Sequence, residues 1–503
     1  MAESQHASQD KHDRGGAAGS QEAKAPIFWR PVDGFVGDVI PYFSDGAFHA
    51  FYLKAPMSPF RYRAEGTRTP WAHVVSKDLV HWEEWQTAIE PGGPSDPDYH
   101  GCWTGSVIEA AGIYHLFYTG GALPGEPQTI CHATSADLRS WTKDLRNPIM
   151  RADPRWYESA DWRDPFVFWN DEAGEYWMLV AARANTGPVN RRGCVGLAVS
   201  SDLDSWHIKE PFWSPNLYSI PLECPDLFRL GDEWALVFSQ STDGSSTHYR
   251  LARSLAGPWL ASQVDSFDGA AYYAAKTASD GLRRFSFGWT PTREGEGDDG
   301  RWEWGGALVV HQLSRHDGGN RIAIGPPAAL TGIFKETISS SLNPILGAWS
   351  ETQGTYRGMR ADGFGACLVG KLPEQCQIDV TARTSGPTTS CGLLLRADEG
   401  LETYYRLRWE PIQHRIVFDE WPIRGRDFWP RPADKPFALE RSIGADRADT
   451  IKIRLVIDGS VMVAYVNDVE ALTCRAYDHK EGHLGLFVSD GEATFANLAI
   501  RRR

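Results

Sequence analysis

The sequence predicts an all-β chain, a five-bladed β-propeller followed by a C-terminal β-sandwich, and three observations predict it. A phrase recurs as Ser76-Lys77-Asp78-Leu79-Val80-His81-Trp82, Ser135-Ala136-Asp137-Leu138-Arg139-Ser140-Trp141 and Ser200-Ser201-Asp202-Leu203-Asp204-Ser205-Trp206. Between these lies a turn glycine followed by an aromatic-rich apolar strand: Gly46 to Tyr52, Gly112 to Tyr118, Gly174 to Val180, Gly231 to Val237, and more weakly Gly281 to Phe287. Spacings of about 50–66 residues with several short strands per unit are those of propeller blades. The third observation is a change of texture late in the chain. Cys391 to Arg396, Tyr404 to Trp409 and Ile451 to Ile457 largely alternate apolar and polar residues, as half-buried strands do.

Taken in order, residues 1–25 are polar and too poor in apolar side chains to pack, so this segment is expected to be disordered. Blades are expected over 26–314, with turns marked by Gly, Asp, Asn and Pro. Gly295-Glu296-Gly297-Asp298-Asp299-Gly300 reads as a mobile surface loop, and Trp304 to Val310 as the closing strand. A linker over 315–345 carries Gly325-Pro326-Pro327 and a short helix. The sandwich takes 346–503, with Val461 to Val466 and Leu484 to Val488 as further, more continuously apolar strands.

Composition narrows the function. A net charge of −14, with no basic run before the last three arginines, argues against nucleic acid and anionic membranes as partners. No stretch approaches the roughly 18 apolar residues of a membrane span. The eight cysteines are scattered, with no C-x-x-C pair and no Cys/His cluster, so neither a disulfide framework nor a metal site is expected. With no apolar leader in the first residues, a cytoplasmic protein is expected. Twenty-one tryptophans suit sugar stacking, although blades and sandwiches also pack with aromatics.

Three acids fall at nearly the same phase of the repeat. Asp38 lies eight residues before Gly46, Asp164 ten before Gly174, and Glu223 eight before Gly231. Each alone has an ordinary reading: an Asx-turn residue, half of an Arg-Asp pair, and a Glu among Leu, Cys and Pro. In a propeller the first strand of each blade lines the axis, so shared phase means convergence. Like charges in one pocket repel and raise one another's pKa, a cost that points to chemistry. Glycoside cleavage needs this set: one carboxylate to attack the anomeric carbon and one carboxylic acid to protonate the leaving oxygen. Among its apolar neighbours, Glu223 is the group that desolvation would keep protonated.

These motifs carry a resemblance. Residues 27–503 resemble glycoside hydrolase family 32, the invertases, inulinases and levanases. Arg163-Asp164-Pro165 and Glu223-Cys224-Pro225-Asp226 match its transition-state and acid/base motifs. Gly101-Cys102-Trp103-Thr104-Gly105-Ser106 is similar to its Phe-Ser-Gly-Ser segment, and Trp71-Ala72-His73 to its Trp-Gly-His. The resemblance implies a retaining β-fructofuranosidase acting on sucrose-like or oligofructoside substrates, with Asp38 as nucleophile, Glu223 as general acid/base, Asp164 as stabiliser, and no metal or cofactor. Arg163, Trp71, Trp103, Thr104 and Tyr273 are the expected sugar-binding residues, and Trp162 is a further candidate for the pocket wall. Trp29, Trp302 and Trp304 fit core or rim equally.

The chain also departs from the family. Its nucleophile segment is Gly37-Asp38-Val39-Ile40-Pro41 rather than Asn-Asp-Pro-Asn-Gly, Leu53 stands where a Gln is usual, and Ala271 where many members have an Asp. Other readings therefore stay open: an arabinan- or xylan-type inverting furanosidase similar to family 43, a fructosyltransferase, or a non-catalytic sugar-binding propeller. The sandwich could bind polysaccharide, cover the propeller or form a homodimer; lacking an obvious aromatic platform, it reads as structural.

Overall fold

The computed structural model describes residues 25–57, 68–242, 244–316, 320–422, 439–444 and 449–503. The disorder expected over 1–25 thus falls almost wholly outside the described residues. The chain is an all-β propeller joined to a β-sandwich. Antiparallel meanders run over residues 34–89, 102–151, 157–213, 223–252 and 273–325. The last joins the first into one sheet through the pair Val36↔Gly306, so that a count of five blades divides the sheet there. The first strands of the meanders, Gly34–Ser44, Cys102–Ala110, Tyr157–Asn170, Glu223–Leu230 and Tyr273–Ser279, contact one another in a closed ring.

Both repeated phrases have local physical causes. Asp45 and Gly46 take φ of 50° and 75°, and Ala111 and Gly112 take 52° and 81°. Two successive positive φ values make the tight hairpin that matches strand twist. In the Asp-Leu phrase, Ser76 Oγ accepts from Leu79 N at 2.8 Å and Asp78 Oδ1 accepts from Val80 N and His81 N. These bonds hold Leu79 at φ 68°, and Leu138 and Leu203 repeat the conformation at 59° and 64°. The phrase's tryptophan then rivets neighbours together: Trp141 packs edge-on against Phe51, and Trp206 against Phe117.

The final meander continues through the strand Ile322–Gly325, past the boundary expected at residue 314. Glu336–Ile338 and Asn343–Leu346 already pair within the sandwich sheet, leaving only a short connection around the helix Ala328–Gly332. Within the sandwich, the long strand His483–Arg502 pairs with Ser390–Ala397 through its first half and with Gln375–Ser385 through its second. It thereby passes between the two faces, which enclose an apolar core including Leu393, Trp409, Ile453 and Leu486.

The sandwich covers the propeller's flank. One apolar cluster spans Phe228, Tyr249, Tyr272 and Val309 of the propeller and Val456, Val463 and Tyr465 of the sandwich. At its heart is a fully buried polar chain: Tyr465 to His311 at 3.1 Å, His311 Nε2 to Asp268 Oδ2 at 3.0 Å, and Asp268 to both the backbone and hydroxyl of Thr473 at 2.8 and 2.6 Å. The segment 295–300 is not a free surface loop. Asp298 is buried and accepts bonds from Tyr477 N, Asp478 N and the Tyr405 hydroxyl of the sandwich. Removing one member of a buried, fully paired network leaves the others unsatisfied. Asp268→Ala is expected to destabilise the chain by about 3–5 kcal/mol, read as a lowered midpoint in chemical denaturation. A loss under about 1 kcal/mol would make the network incidental.

Candidate active site

The inner strands share an irregularity at the end where the acids lie. Pairing register breaks between Val36 and Val39, Trp103 and Gly105, Arg163 and Phe166, Glu223 and Asp226, and Tyr273 and Lys276. A bulge in each strand re-aims side chains that strict alternation would send to opposite faces. Asp164, Cys224 and Ala274 occupy the same bulge position, at φ 59°, 51° and 52°. Non-glycine residues there cost of order 1–3 kcal/mol each, a strain that surrounding bonds must hold. Arg163, Glu223 and Tyr273 are the residues just before it. Glu223 is therefore in phase with Arg163 rather than with Asp164, and the bulge lets both positions face one site.

Asp38 receives a different donor on each oxygen: Thr104 Oγ1 on Oδ2 at 2.5 Å and Trp289 Nε1 on Oδ1 at 3.0 Å. Asp164 is 4 % exposed; its Oδ2 accepts from Cys224 N at 3.0 Å, and its own N–H donates to Thr119 Oγ1 at 2.7 Å. The Cys224 thiol lies 3.7 Å from Asp38 Oδ2 and 3.9 Å from Asp164 Oδ2, joining the two carboxylates. Burial holds that thiol well above its ordinary pKa, so it is a neutral donor and not a nucleophile.

Glu223 is not isolated among Leu, Cys and Pro, as the sequence suggested. Arg163 Nη2 donates to Oε1 at 2.9 Å and the Tyr273 hydroxyl to Oε2 at 2.5 Å. Arg163 Nη1 donates to Asp161 at 2.9 Å and to Gln128 at 3.4 Å, while Nε stands 3.9 Å from Asp164 Oδ2. A hydroxyl can donate to a carboxylate or accept from a carboxylic acid, so the Tyr273 bond survives either protonation state.

The expected sugar-binding residues separate into two groups. Arg163, Trp103 and Tyr273 are half-buried at the site. Thr104 is buried, and its hydroxyl is committed to Asp38. Trp71 is fully buried, donates to Trp103 O at 3.0 Å and packs on Phe51 and Tyr118; it supports Trp103 and offers no face to a ligand. Trp162 is likewise core, against Tyr157. Trp29 is core, Trp302 exposed, and Trp304 half-buried against Trp289.

Trp304 also explains Gly37. A Cβ there would lie 2.2 Å from the Trp304 ring, so the indole fills the space that a residue-37 side chain would take. Sequence reasoning missed Trp289, Thr119, Gln128 and Lys276, whose partners lie in other meanders. Lys276 is 2 % exposed beneath the acids and donates to Pro225 O at 2.7 Å.

Among the described residues, one acidic grouping is close enough to hold a cation, Asp298, Glu420 and Asp478; it lies at the propeller–sandwich contact, away from Asp38. All eight cysteines are buried and none forms a disulfide. Among the described residues no helix is long and apolar enough to cross a membrane.

Three carboxylates gathered in one pocket, with an arginine bonded to one of them and aromatic side chains alongside, suit the cleavage of a sugar bond. Residues 31–326 match the Glycosyl hydrolases family 32 N-terminal domain and residues 360–502 its C-terminal domain. The chain belongs to glycoside hydrolase family 32. It is 27% identical to sucrose-6-phosphate hydrolase of Escherichia coli, over 93% of each chain. It is 28% identical to a fructan 1-exohydrolase of Triticum urartu over 57% of this chain and 51% of that protein. Exo-inulinase from Aspergillus awamori shares the fold with a TM-score of 0.71 at 18% identity, covering 95% of this chain and 97% of that one. As a family 32 glycoside hydrolase it acts on O-glycosyl bonds.

Burial pushes the Asp38 carboxyl up to about 6; the charges of Asp164 and Glu223 add to this, and the Thr104 and Trp289 bonds oppose it. An acid whose folded pKa exceeds its ordinary 3.8 binds protons more readily when folded. Stability therefore falls as pH rises from about 4 to 6 and stays lower above. Asp38→Asn should raise stability at pH 7.5 by about 1–3 kcal/mol, with the gain vanishing by pH 4. An equal gain at both pH values would contradict the buried-charge account.

Proposed function

We propose that this chain is a retaining β-fructofuranosidase in which Asp38 attacks, Glu223 shuttles the proton and Asp164 holds the sugar. It hydrolyses β-fructofuranosidic bonds, and the observation that carries the division of roles is the different surroundings of the three acids. Asp38 has Oδ1 fixed by the Trp289 indole and Oδ2 by the Thr104 hydroxyl and the Cys224 thiol, neutral donors that orient its lone pairs without neutralising it. Glu223 faces Arg163 and a hydroxyl that tolerates both protonation states, as a group that gives and regains a proton needs. Asp164 is held by a backbone N–H on Oδ2, with its other oxygen available for sugar hydroxyls.

In the first step Asp38 Oδ bonds to the anomeric carbon as the bond to the leaving oxygen breaks and that oxygen takes the Glu223 proton. In the second, Glu223 removes a proton from water, whose oxygen displaces Asp38 from the anomeric carbon. The charge that develops on the ring lies beside Asp164. Arg163, half-buried between Asp161 and Glu223, holds Glu223 and reaches sugar hydroxyls, with Trp103 and Tyr273 as wall. The substrates named by its relatives, sucrose-6-phosphate and fructans, fix the class to test. With Trp304 over Gly37 in place of a polar side chain, an oligofructoside is the preferred substrate of this reading.

Incubation with sucrose, sucrose-6-phosphate, 1-kestose and an aryl arabinofuranoside, with the anomer read by NMR, checks it. Fructose released first as the β-anomer is expected; arabinose released with inversion would contradict the assignment. Asp38→Ala and Glu223→Ala should each lower kcat by about 10³-fold or more with thermal stability retained. Glu223→Ala should recover part of that loss on fructosides with good leaving groups, where protonation matters less. No recovery would remove Glu223 from the proton-transfer role.

A further inference from the structure

Arg163 grips Glu223 by one end, and a fourth carboxylate holds the other. Its Nη2 donates to Glu223 Oε1 at 2.9 Å. Its Nη1 donates at 2.9 Å to Asp161 Oδ1, two residues earlier on the same inner strand. Gln128 Oε1 stands 3.4 Å from that nitrogen, but this oxygen already accepts from Trp162 N at 3.0 Å. The second oxygen of Asp161 faces Arg183 Nε at 3.4 Å; Arg183 is one residue from Ala182, the cross-strand partner of Trp162. Further out, Arg183 Nε donates to Glu158 Oε2 at 2.8 Å and Arg192 Nη1 to Glu158 Oε1 at 2.7 Å. Carboxylates and guanidiniums therefore alternate from Glu223 to Arg192, all of them half-buried. The outer end is tied to backbone: Arg183 donates to Val189 O at 3.0 Å and to Ser219 O, and Arg192 to Gly187 O at 3.0 Å.

Within this row, Asp161 is the member that joins Arg163 to a fixed frame. Hydrogen bonds between ionised partners are the strong ones, and a guanidinium held at two nitrogens has a fixed direction as well as a fixed place. An arginine stem has several rotatable bonds, so a guanidinium released at one end regains much of its freedom. Without Asp161, the Nη1 partner left among the described residues is the shared Gln128 oxygen. Asp164 Oδ2, 3.9 Å from Nε, then competes for the loosened group. Glu223 would rest on the Tyr273 hydroxyl at Oε2 and turn more freely about its own stem. A general acid has to lie within hydrogen-bond reach of the leaving oxygen as the bond breaks, and this aim is what would be lost.

We propose that Asp161 is a positioning residue of this active site, acting through Arg163: it anchors the guanidinium so that Nη2 stays on Glu223 and the acid keeps its aim at the leaving oxygen. This role rests on the general acid/base assignment of Glu223 made above. Its signature is a loss that depends on the leaving group. A sugar alkoxide needs the proton as its bond breaks, whereas p-nitrophenolate departs without one. A carboxylate that merely braced the strand, or that served a contact between Arg163 and the fructosyl unit, would matter equally for both.

The test compares kcat/KM, which reports the step that expels the leaving group, on 1-kestose and on p-nitrophenyl β-D-fructofuranoside. The full-length wild type is set against Asp161→Ala, Asp161→Ser and Asp161→Asn. Alanine removes both acceptors; serine ends one bond short of the carboxylate oxygens and leaves room for water; asparagine keeps an oxygen for Arg163 Nη1. Asp161→Ala is expected to lose about tenfold or more on 1-kestose and less than about threefold on the aryl fructoside, and Asp161→Asn to recover most of that loss. An equal loss on the two substrates, or wild-type values for the alanine variant on 1-kestose, overturns the proposal. Should the alanine variant fail to fold, the serine variant decides by the same comparison. Glu223→Ala is assayed alongside: if the aryl fructoside restores none of its activity, the assignment of Glu223 has failed, an outcome distinct from an equal loss in the Asp161 variants.

Discussion

Three carboxylates in one half-buried pocket repel one another by several kcal/mol unless cations, donors or protons offset them, and that constraint explains the local structure around them. The propeller brings its inner strands to a common axis, but regular alternation would turn adjacent residues to opposite faces. The register breaks near residues 37, 104, 164, 224 and 274 remove that obstacle. Each bulge also frees backbone and side-chain donors that the acids use: Cys224 N for Asp164, and Thr104 Oγ1 for Asp38. Strain at Asp164 and Cys224 is the cost, and the bonds across neighbouring strands hold it in place.

Rigidity at the axis comes from the periphery. The positive-φ leucines of the repeated phrase accompany Trp141 and Trp206, each of which packs edge-on against the preceding meander and ties the two together. The sandwich adds a second restraint, through the buried Asp268–His311–Tyr465 chain and the pinned Asp298. Both contacts fall on the last meander, the one that supplies Tyr273, Lys276, Trp289 and Trp304 to the site. A covering role for the sandwich follows from its contact with that meander.

The sequence made the periodic parts of this molecule legible because their causes are local. A turn glycine after an Asp or Ala, or an Asp that caps its own turn, is written within a few residues. The three acids were legible for the same reason: each sits eight to ten residues before such a turn. What could not be read was which way a side chain faces once a bulge interrupts alternation. Trp71 and Trp162 stand beside site motifs in sequence yet point into the core, and Thr104 turns its hydroxyl to Asp38. Trp289 meets Asp38, and Lys276 the Pro225 carbonyl, only after the chain has closed on itself, across separations such as the 251 residues between Asp38 and Trp289. No local pattern records such a meeting. The missing residue-37 side chain was visible, but its replacement by the Trp304 indole was not.

The central claim is that Asp38, held by Thr104 and Trp289 within this bulged ring, forms a covalent bond to the sugar. Acid-quenching the enzyme during turnover of sucrose or 1-kestose, followed by proteolysis and mass spectrometry, tests it directly. The account predicts a peptide containing Asp38 that carries one fructosyl group, accumulating further in Glu223→Ala, where the second step lacks its base. A fructosyl group found on Asp164 or Glu223 instead, or active turnover with no adduct on any peptide in either protein, would contradict it.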